Sequence, residues 1–350
     1  MSRSILRRCV AHPIRYSQIA WRTVAYWASL RAKPEFAGRP VLLFERPAGI
    51  GDIICTFPAA LELRKRYADA VFVYCTRKAF TGVVEMGQVA DLVVDWDRSW
   101  MPRLVDKYYH PQNEEERPSG RPFLHLVDDF ARSLEVELSS RQPRLHVPDR
   151  LSQSLHERIM PFARRGSHIL GIHVGPTWRV KEWTVEGWTR LVALLQERTD
   201  CVVIQLGADV DTAKGFVMSP RIPGTEDWVG KLSLEETIAA LQHLDLLVGV
   251  DSGLLHAAGA VGTPTVGLFG AVDPGLPLPP ETPSIGVVAD VPCLGCHQRL
   301  PRLHWRDGCP NHIQCMSELT PENVLNACAR ILDTLQSENK NLSRWVREQR

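Results

Sequence analysis

The chain has 350 residues, of which 44% are hydrophobic and 23% charged, and its formal net charge is +1. This length is about twice the ~100–200 residues of one compact domain, which excludes a single small module and predicts two domains. The composition excludes a disordered or fibrous chain.

The charge is unevenly distributed along the sequence. Residues 1–33 carry seven basic side chains and no acidic one, which leaves the rest of the chain at −6 and argues against a nucleic-acid partner. This basic arm predicts either an amphipathic helix on an anionic membrane surface or a helix packed on its own domain. No apolar signal segment follows the arginines, so we expect a cytoplasmic protein, peripheral on the inner membrane face.

The first half of the chain predicts strands that alternate with helices, the pattern of a parallel sheet with crossover helices. The predicted elements are strands at Val41–Glu45, Val71–Cys75 and Leu92–Val94, a helix over 53–67, and two closing strands at Phe123–Val127 and Arg144–Val147. Residues 98–122 are predicted to form an inserted loop, in which Glu114–Glu116 is a solvated acidic edge.

A second series of the same kind follows a predicted linker helix over 151–165. Its strands are predicted at Ile169–His173, Val202–Leu206, Leu246–Val250, Thr265–Phe269 and Ile285–Val288, and its helices at Val185–Arg198, Leu234–Leu244 and from Ser252 onward. A closing helix is predicted over 321–335. Two doubly wound α/β units in tandem place a ligand cleft between them, at the carboxyl ends of their strands.

These elements predict an α/β protein of five parts. They are a basic arm (1–36), a first Rossmann-like domain (37–150), a linker (151–166), a second Rossmann-like domain (167–320) and a C-terminal helix with a basic tail (321–350). The two Rossmann-like domains carry all the loops discussed below.

The loop after the first strand carries a candidate catalytic residue. Gly49 and Gly51 allow a tight turn in which backbone approaches a ligand, and Asp52 stands where the next helix starts. The loop lacks the third glycine of a dinucleotide fingerprint and the Gly-Lys-Ser/Thr of a P-loop, so neither site is predicted. Asp52 is either an N-cap or first-turn aspartate stabilised by the helix dipole, or a general base aimed into the cleft.

The loop after Leu246–Val250 is a candidate anion site. Asp251 is predicted to cap the following helix, while Ser252 and Gly253 offer free backbone amides to an anion. His256 lies one turn further on, on the same side of the helix, where an imidazole reaches a phosphate or sugar oxygen. The alternative is a structural histidine.

Two further loops follow strands of the second half. Thr177, Arg179 and Lys181 combine a hydroxyl with two cations, which suits a departing diphosphate, although a solvated loop with two surface cations has the same sequence. Gly207 and Asp209 end the next strand, where an acid either accepts hydrogen bonds from ribose hydroxyls or caps a helix.

Four of the nine cysteines cluster in a proline-rich segment over 293–315. The cluster is Cys293, Cys296, Cys309 and Cys315. In a reducing compartment such a cluster predicts a structural zinc or iron site, and the alternatives are reduced thiols or two disulfides. Four protein ligands leave no open position on a metal, so no catalytic role is expected for it.

Together these loops resemble glycosyltransferase family 9, the ADP-heptose heptosyltransferases, over roughly residues 40–335. The matching motifs are Gly-Ile-Gly-Asp at 49–52, Gly-Pro-Thr-x-x-x-Lys-x-Trp at 175–183, Leu-Gly-Ala-Asp at 206–209 and a run from Asp-Ser-Gly-Leu-Leu-His at 251–256 to Leu-Phe-Gly at 268–270. The resemblance implies the GT-B fold, in which two Rossmann-like domains face a central cleft, with the acceptor on the first and the nucleotide sugar mostly on the second.

The resemblance also implies roles for the residues that match these motifs. Asp52 would be the general base, Lys181 and Thr177 would hold the diphosphate, Asp209 would meet the ribose, and the run at 251–256 would form the donor pocket. The implied reaction inverts the anomeric centre without a catalytic metal and moves heptose from ADP-heptose to a lipopolysaccharide-core or protein hydroxyl in a bacterium. One branch of the family, which heptosylates autotransporter adhesins, has a four-cysteine iron site.

Two alternatives stay open at this point. The same fold could use a UDP-, GDP- or dTDP-sugar, because no loop identifies the base. The chain could also be a non-catalytic nucleotide-sugar-binding or assembly protein whose cysteine segment is an interaction surface, although the presence of both Asp52 and Lys181 argues against this.

Overall fold

The computed structural model describes residues 28–29, 31–34, 36–95, 105–165, 168–211, 217–299 and 309–348. Most of the basic arm, and with it the predicted membrane-contacting helix, lies outside these residues. Among the helices that are described, none combines the length and the apolar character needed to cross a bilayer. The membrane contact of the arm stays a prediction.

The first half of the chain folds into a four-stranded parallel sheet. Its spatial order is β3-β2-β1-β4, with β1 (Val41–Glu45), β2 (Val71–Thr76), β3 (Leu92–Asp95) and β4 (Lys107–Tyr109). The helices around it are α1 (Ile50–Cys55), α2 (Phe57–Arg66), α3 (Thr81–Gly87) and α4 (Leu126–Ser133). All six residues of β2 are buried, which is typical of a parallel strand covered on both faces.

The second half contains a six-stranded parallel sheet. Its order is β12-β11-β10-β5-β6-β9, with β5 (His168–His173), β6 (Cys201–Gln205), β9 (Glu226–Asp227), β10 (Leu246–Val250), β11 (Thr265–Leu268) and β12 (Ser284–Val287). A short antiparallel pair, β7 (Val210–Asp211) and β8 (Val217–Met218), lies beside it. The α/β class and the tandem arrangement of two parallel sheets are therefore confirmed.

Seven helices are described in the second half, and two of them, α6 and α7, begin with a side-chain cap. The seven are α5 (Asp149–Ala163), α6 (Val185–Arg198), α7 (Leu234–Leu241), α8 (Gly253–Val261), α9 (Cys296–Arg299), α10 (Gln314–Ser317) and α11 (Pro321–Glu348). The hydroxyl of Thr184 accepts a hydrogen bond from Gly187 N at the start of α6. Ser233 and Glu236 form a reciprocal capping box at the start of α7. Helix α11 continues well beyond the predicted end at residue 335.

Two predicted strands of the first half are wrong. Residues 123–125 have no regular structure, and Leu126 and Val127 begin α4. The segment 144–147 is extended but joins no sheet, because Leu145 N donates to Ala260 O and His146 N donates to Met86 O. The backbone groups of this segment are satisfied by connecting the two halves of the molecule rather than by strand pairing.

The two halves pack directly on each other where α1 faces α8. A Cβ atom on Gly51 would lie 2.7 Å from His256 Cδ2, and a Cβ on Gly253 would collide with the Ile50 side chain. Glycine at both positions permits this close approach of the helices. One hydrophobic core continues across the junction, from Phe44 and Ile53 of the first half to residues of α7 and α8. The contact places the starts of α1 and α8 side by side.

Candidate active site

A cleft of about 780 Å³ lies between the two sheets, at the carboxyl ends of their strands. The first half lines it with the loop at 49–52 and with parts of the segment 113–129. The second half lines it with loops that follow β5, β6 and β10 and with His297 and Gln298 of the cysteine segment. A cleft in this position is where open parallel sheets bind ligands, as predicted.

Asp52 lies in the first turn of α1 and lines the cleft. The N-cap of α1 is Gly49, so Asp52 is not the N-cap, but it is a first-turn aspartate whose negative charge the helix dipole favours, as the alternative interpretation predicted. Its side chain is one-third exposed. Burial of the carboxyl group raises the pKa of Asp52, an effect that Arg46 opposes and that Glu116 reinforces. A carboxylate with raised proton affinity that faces a cleft is suited to general-base chemistry.

Lys181 and Asp251 face Asp52 from the second half of the molecule. The Lys181 ammonium lies 2.6 Å from a carboxylate oxygen of Asp251, and both side chains are largely buried. The same ammonium lies 4.3 Å from the centre of the Trp178 ring, at cation–π distance. Asp251 therefore neutralises a cation and does not cap α8, whose N-cap is Ser252. A diphosphate in the cleft would meet Lys181 held in a defined position.

The start of α8 presents polar groups to the cleft. Ser252 forms no side-chain capping bond, and its buried hydroxyl has no hydrogen-bond partner among the residues that the structure describes. Gly253 begins the helix, so the first backbone amides of α8 lack helical acceptors and can bind an anion. The predicted anion site is thus present in its geometry, with its amides directly after Asp251, the residue that pairs with the Lys181 ammonium.

His256 lines the cleft one turn into α8. Burial lowers the pKa of His256 to about 4, so the imidazole is neutral near pH 7. Its Nδ1 lies 3.3 Å from the Cys55 sulfur, and burial raises the pKa of that thiol well above its usual value. A protonated Cys55 thiol can donate to Nδ1 or accept from it, so either tautomer of the neutral imidazole fits this contact. His256 therefore cannot supply a positive charge to a ligand near pH 7.

The remaining predicted site residues divide into two groups. Thr177 and Gly207 line the cleft, as predicted. Arg179 belongs to the same 3₁₀ turn as Lys181 but is exposed and does not line the cleft. Asp209 forms an ion pair with Arg221 at 2.7 Å, also outside the cleft lining, and is followed by β7 rather than by a helix. Its interpretation as a helix cap is wrong, and its contact with a ribose stays a prediction.

The prediction that the run at 114–116 is a solvated acidic edge holds for Glu115 and Glu116, which are exposed, and is wrong for Glu114. Glu114 is buried and accepts hydrogen bonds from Ser119. Glu115 lies 2.8 Å from His297 Nε2, which connects the first half to the cysteine segment across the cleft. Glu116 accepts a hydrogen bond of 2.7 Å from Arg46 Nη1. Glu115 and Glu116 both line the cleft. Their partners, His297 and Arg46, lie about 180 and 70 residues away in the sequence, so the sequence pattern did not reveal these contacts.

The four clustered cysteines lie near one another beside the second sheet. Burial raises the pKa of the Cys296 thiol, and the neighbouring Cys293 and Cys309 raise it further. Burial and the three other thiols together raise the pKa of Cys315 to about 11. Within the described residues, no group of three or more His, Cys, Asp or Glu side chains has an arrangement that could hold a metal ion. The structure therefore gives the metal site no support, and residues 300–308, which connect the two cysteine pairs, lie outside the described part.

Comparisons with known proteins agree on one family. A model of glycosyltransferase family 9 (heptosyltransferase) matches residues 121–304. Lipopolysaccharide heptosyltransferase 3 of Escherichia coli K12 is 28% identical over 271 residues, which are 69% of this chain and 74% of that protein. A protein of the same name from another Escherichia coli source is 26% identical over 208 residues, 52% of this chain, and the match spans 60% of its length.

Solved structures show the same architecture. E. coli ADP-heptose lps heptosyltransferase II has a TM-score of 0.62 at 16% identity, with 85% of this chain and 99% of that chain covered. Dodecameric iron-containing heptosyltransferase TibC in complex with ADP-D-beta-D-heptose has a TM-score of 0.66 at 19% identity, with 85% and 77% covered. At these identities the likeness shows the fold, and the predicted GT-B arrangement is confirmed.

Proposed function

Because this chain belongs to glycosyltransferase family 9, the heptosyltransferases, we propose that it transfers heptose from ADP-heptose to a hydroxyl of a lipopolysaccharide core or a protein. The observation that carries the proposal is the cleft, in which Asp52 of the first half faces Lys181 and the start of α8 from the second. The donor is suggested by the heptosyltransferase relatives and by the ADP-heptose complex of TibC.

The proposed reaction inverts the anomeric centre in one displacement. Asp52 accepts the proton of the acceptor hydroxyl while that oxygen forms a bond to the anomeric carbon. The bond from this carbon to the diphosphate oxygen breaks, and its electron pair leaves with ADP. Lys181 and the first amides of α8 stabilise the charge that grows on the diphosphate, a role that other enzymes give to a divalent cation. The neutral imidazole of His256 would add a hydrogen bond within the same cleft.

Two alternatives to this proposal are a non-catalytic nucleotide-sugar-binding protein and an enzyme that uses a different donor nucleotide. We expect ADP to raise the melting temperature, because a ligand that binds only the native state at 100 times its Kd adds about 2.7 kcal/mol to the free energy of unfolding. The measurement is a thermal-shift series with ADP, UDP, GDP and dTDP. A larger shift with UDP or GDP would contradict the proposal that ADP-heptose is the donor. No shift with any of the four nucleotides would contradict the proposal that the protein is a glycosyltransferase.

The cysteine segment is proposed to hold one structural zinc or iron per chain. Support comes from the clustering of Cys293, Cys296, Cys309 and Cys315 in the sequence and from the fold similarity to TibC, an iron-containing glycosyltransferase. We expect elemental analysis of the purified protein to find about one equivalent that survives dialysis and is lost in Cys293→Ser. Cys201→Ser, a half-buried thiol outside the cluster, should keep the metal. Absence of a stoichiometric metal would contradict this proposal and favour four reduced thiols.

The basic arm is proposed to place the cleft beside an anionic membrane on the cytoplasmic side, where a lipid-linked acceptor would be presented. Its support is the charge of residues 1–33, seven basic side chains without an acid. Basic segments of this kind gain attraction from anionic lipids. A protein acceptor would not require this contact, so the arm bears on the choice between the two acceptor classes.

A further inference from the structure

We propose that Arg46 and Glu116 are positioning residues for Asp52: Glu116 competes with Asp52 for a single buried guanidinium and so keeps the proposed base free to accept a proton. This inference rests on the proposed function, in which Asp52 acts as the base. Neither Arg46 nor Glu116 belongs to the motifs that define the candidate site in the sequence. Their link to Asp52 is visible only in the folded chain.

The guanidinium of Arg46 is enclosed by protein. The residue follows β1 and is 2% exposed, and its guanidinium carbon lies 4.7 Å from the centre of the Phe130 ring. Nη1 donates to Glu116 at 2.7 Å and to the backbone oxygen of Pro111 at 3.0 Å. Nη2 lies 3.5 Å from Asp52, and neither Nη2 nor Nε makes a hydrogen bond to any described residue.

The two carboxylates therefore receive unequal shares of one positive charge. Glu116 has the short hydrogen bond, whereas Asp52 has only a longer electrostatic contact to a different nitrogen. An opposite charge within about 4–6 Å typically lowers the pKa of a carboxyl by 1–3 units, and a like charge raises it. Because Arg46 is paired with Glu116, its positive charge lowers the pKa of Asp52 less than it otherwise would. The negative charge of Glu116 in addition raises the pKa of Asp52. Both act in the direction that burial already sets for the pKa of Asp52.

The other titratable neighbours of Asp52 carry no charge near pH 7. The Cys55 thiol and the Tyr74 hydroxyl have pKa values raised by burial, so both stay protonated. His256 stays neutral because burial lowers its pKa to about 4. The charged groups that act on Asp52 are Arg46, Glu116, Glu115 and Lys181, in that order of effect. Among them, Arg46 and Glu116 form the pair that can be altered without touching the donor side of the cleft.

The test is the pH dependence of kcat/KM in variants of this pair. Glu116→Gln removes the competing charge and leaves Arg46 to Asp52, so we expect the acidic limb of the profile to move down by about one pH unit. Arg46→Met removes the attraction and should move the limb up by a similar amount. Glu115→Gln is the matched control, because this neighbouring carboxylate pairs with His297 and should produce a smaller downward shift. In Arg46→Met/Glu116→Gln the limb should return toward its original position.

A second measurement separates this inference from the proposed function. Titration of ¹³C-labelled aspartate carboxyls, with the Asp52 signal assigned by its loss in Asp52→Asn, reports the proton affinity of Asp52 without donor or acceptor. Opposite shifts in the Arg46 and Glu116 variants would support the coupling even if no transfer were found, which would contradict the proposed function alone. An unmoved titration in Glu116→Gln would overturn the inference whether or not Arg46→Met folds, because glutamine keeps the size of the side chain and can still accept the hydrogen bond from Arg46.

Discussion

Replacing Asp52 with asparagine is expected to lower the rate of transfer about 10²- to 10⁴-fold, the usual contribution of a general base. The amide keeps the size of the side chain but cannot take the acceptor proton. The N-cap of α1 is Gly49, so the substitution removes only the first-turn charge of Asp52, which typically contributes about 0.3–1 kcal/mol through the helix dipole. Affinity for ADP should be unchanged in a calorimetric titration, because Lys181 and α8 remain intact.

The stability of Asp52→Asn should equal or exceed that of the original chain at neutral pH. Burial raises the pKa of Asp52, so the native state holds the ionised carboxylate at a cost that is complete above the native pKa. A neutral amide removes this cost. Asp69→Asn, the same change at an exposed turn of the first half, is the control and should transfer at the original rate. Turnover of Asp52→Asn near that rate, at saturating donor and acceptor, would exclude Asp52 as the base.

The elements that the sequence predicted well are those stabilised by local pattern. The bounds of α6 are those predicted, because its apolar positions recur at helical spacing and Thr184 caps its start. Strands β1 and β10 are continuous apolar runs between loop signals and also match. The segment 144–147, which alternates polar and apolar residues, packs between the halves instead, since its hydrogen-bond partners, Ala260 and Met86, come from distant parts of the chain.

In the candidate site, too, the features set by local sequence were predicted and those set by distant residues were not. Motif loops at strand ends placed Asp52, Lys181 and the start of α8 at one cleft, because the carboxyl ends of parallel strands meet at one edge. Sequence spacing could not show that Arg179 faces away from the cleft while Lys181, two residues on, faces into it. It also missed Glu116, because the ion pair with Arg46 joins residues 70 positions apart.

Lys181→Met is expected to weaken ADP binding and to lower the rate of transfer by about 10²- to 10³-fold, the effect of removing one preorganised donor from a developing anion. The same change at Arg179 is a matched control, because this cation lies in the same 3₁₀ turn but outside the cleft. Arg179→Met should keep both the affinity for ADP and the rate. Equal losses in the two variants would indicate a disturbed turn rather than a diphosphate contact.

Loss of stability must be separated from loss of chemistry in Lys181→Met. The substitution leaves Asp251 largely buried without its cation, and breaking such a pair costs up to about 3–5 kcal/mol. Lys181→Met/Asp251→Asn removes both charges, so we expect its melting temperature to recover toward that of the original chain. Its rate of transfer should stay low, because no cation then opposes the charge on the departing diphosphate. Recovery of the rate together with the melting temperature would show that Lys181 supports the fold of the cleft and not the reaction.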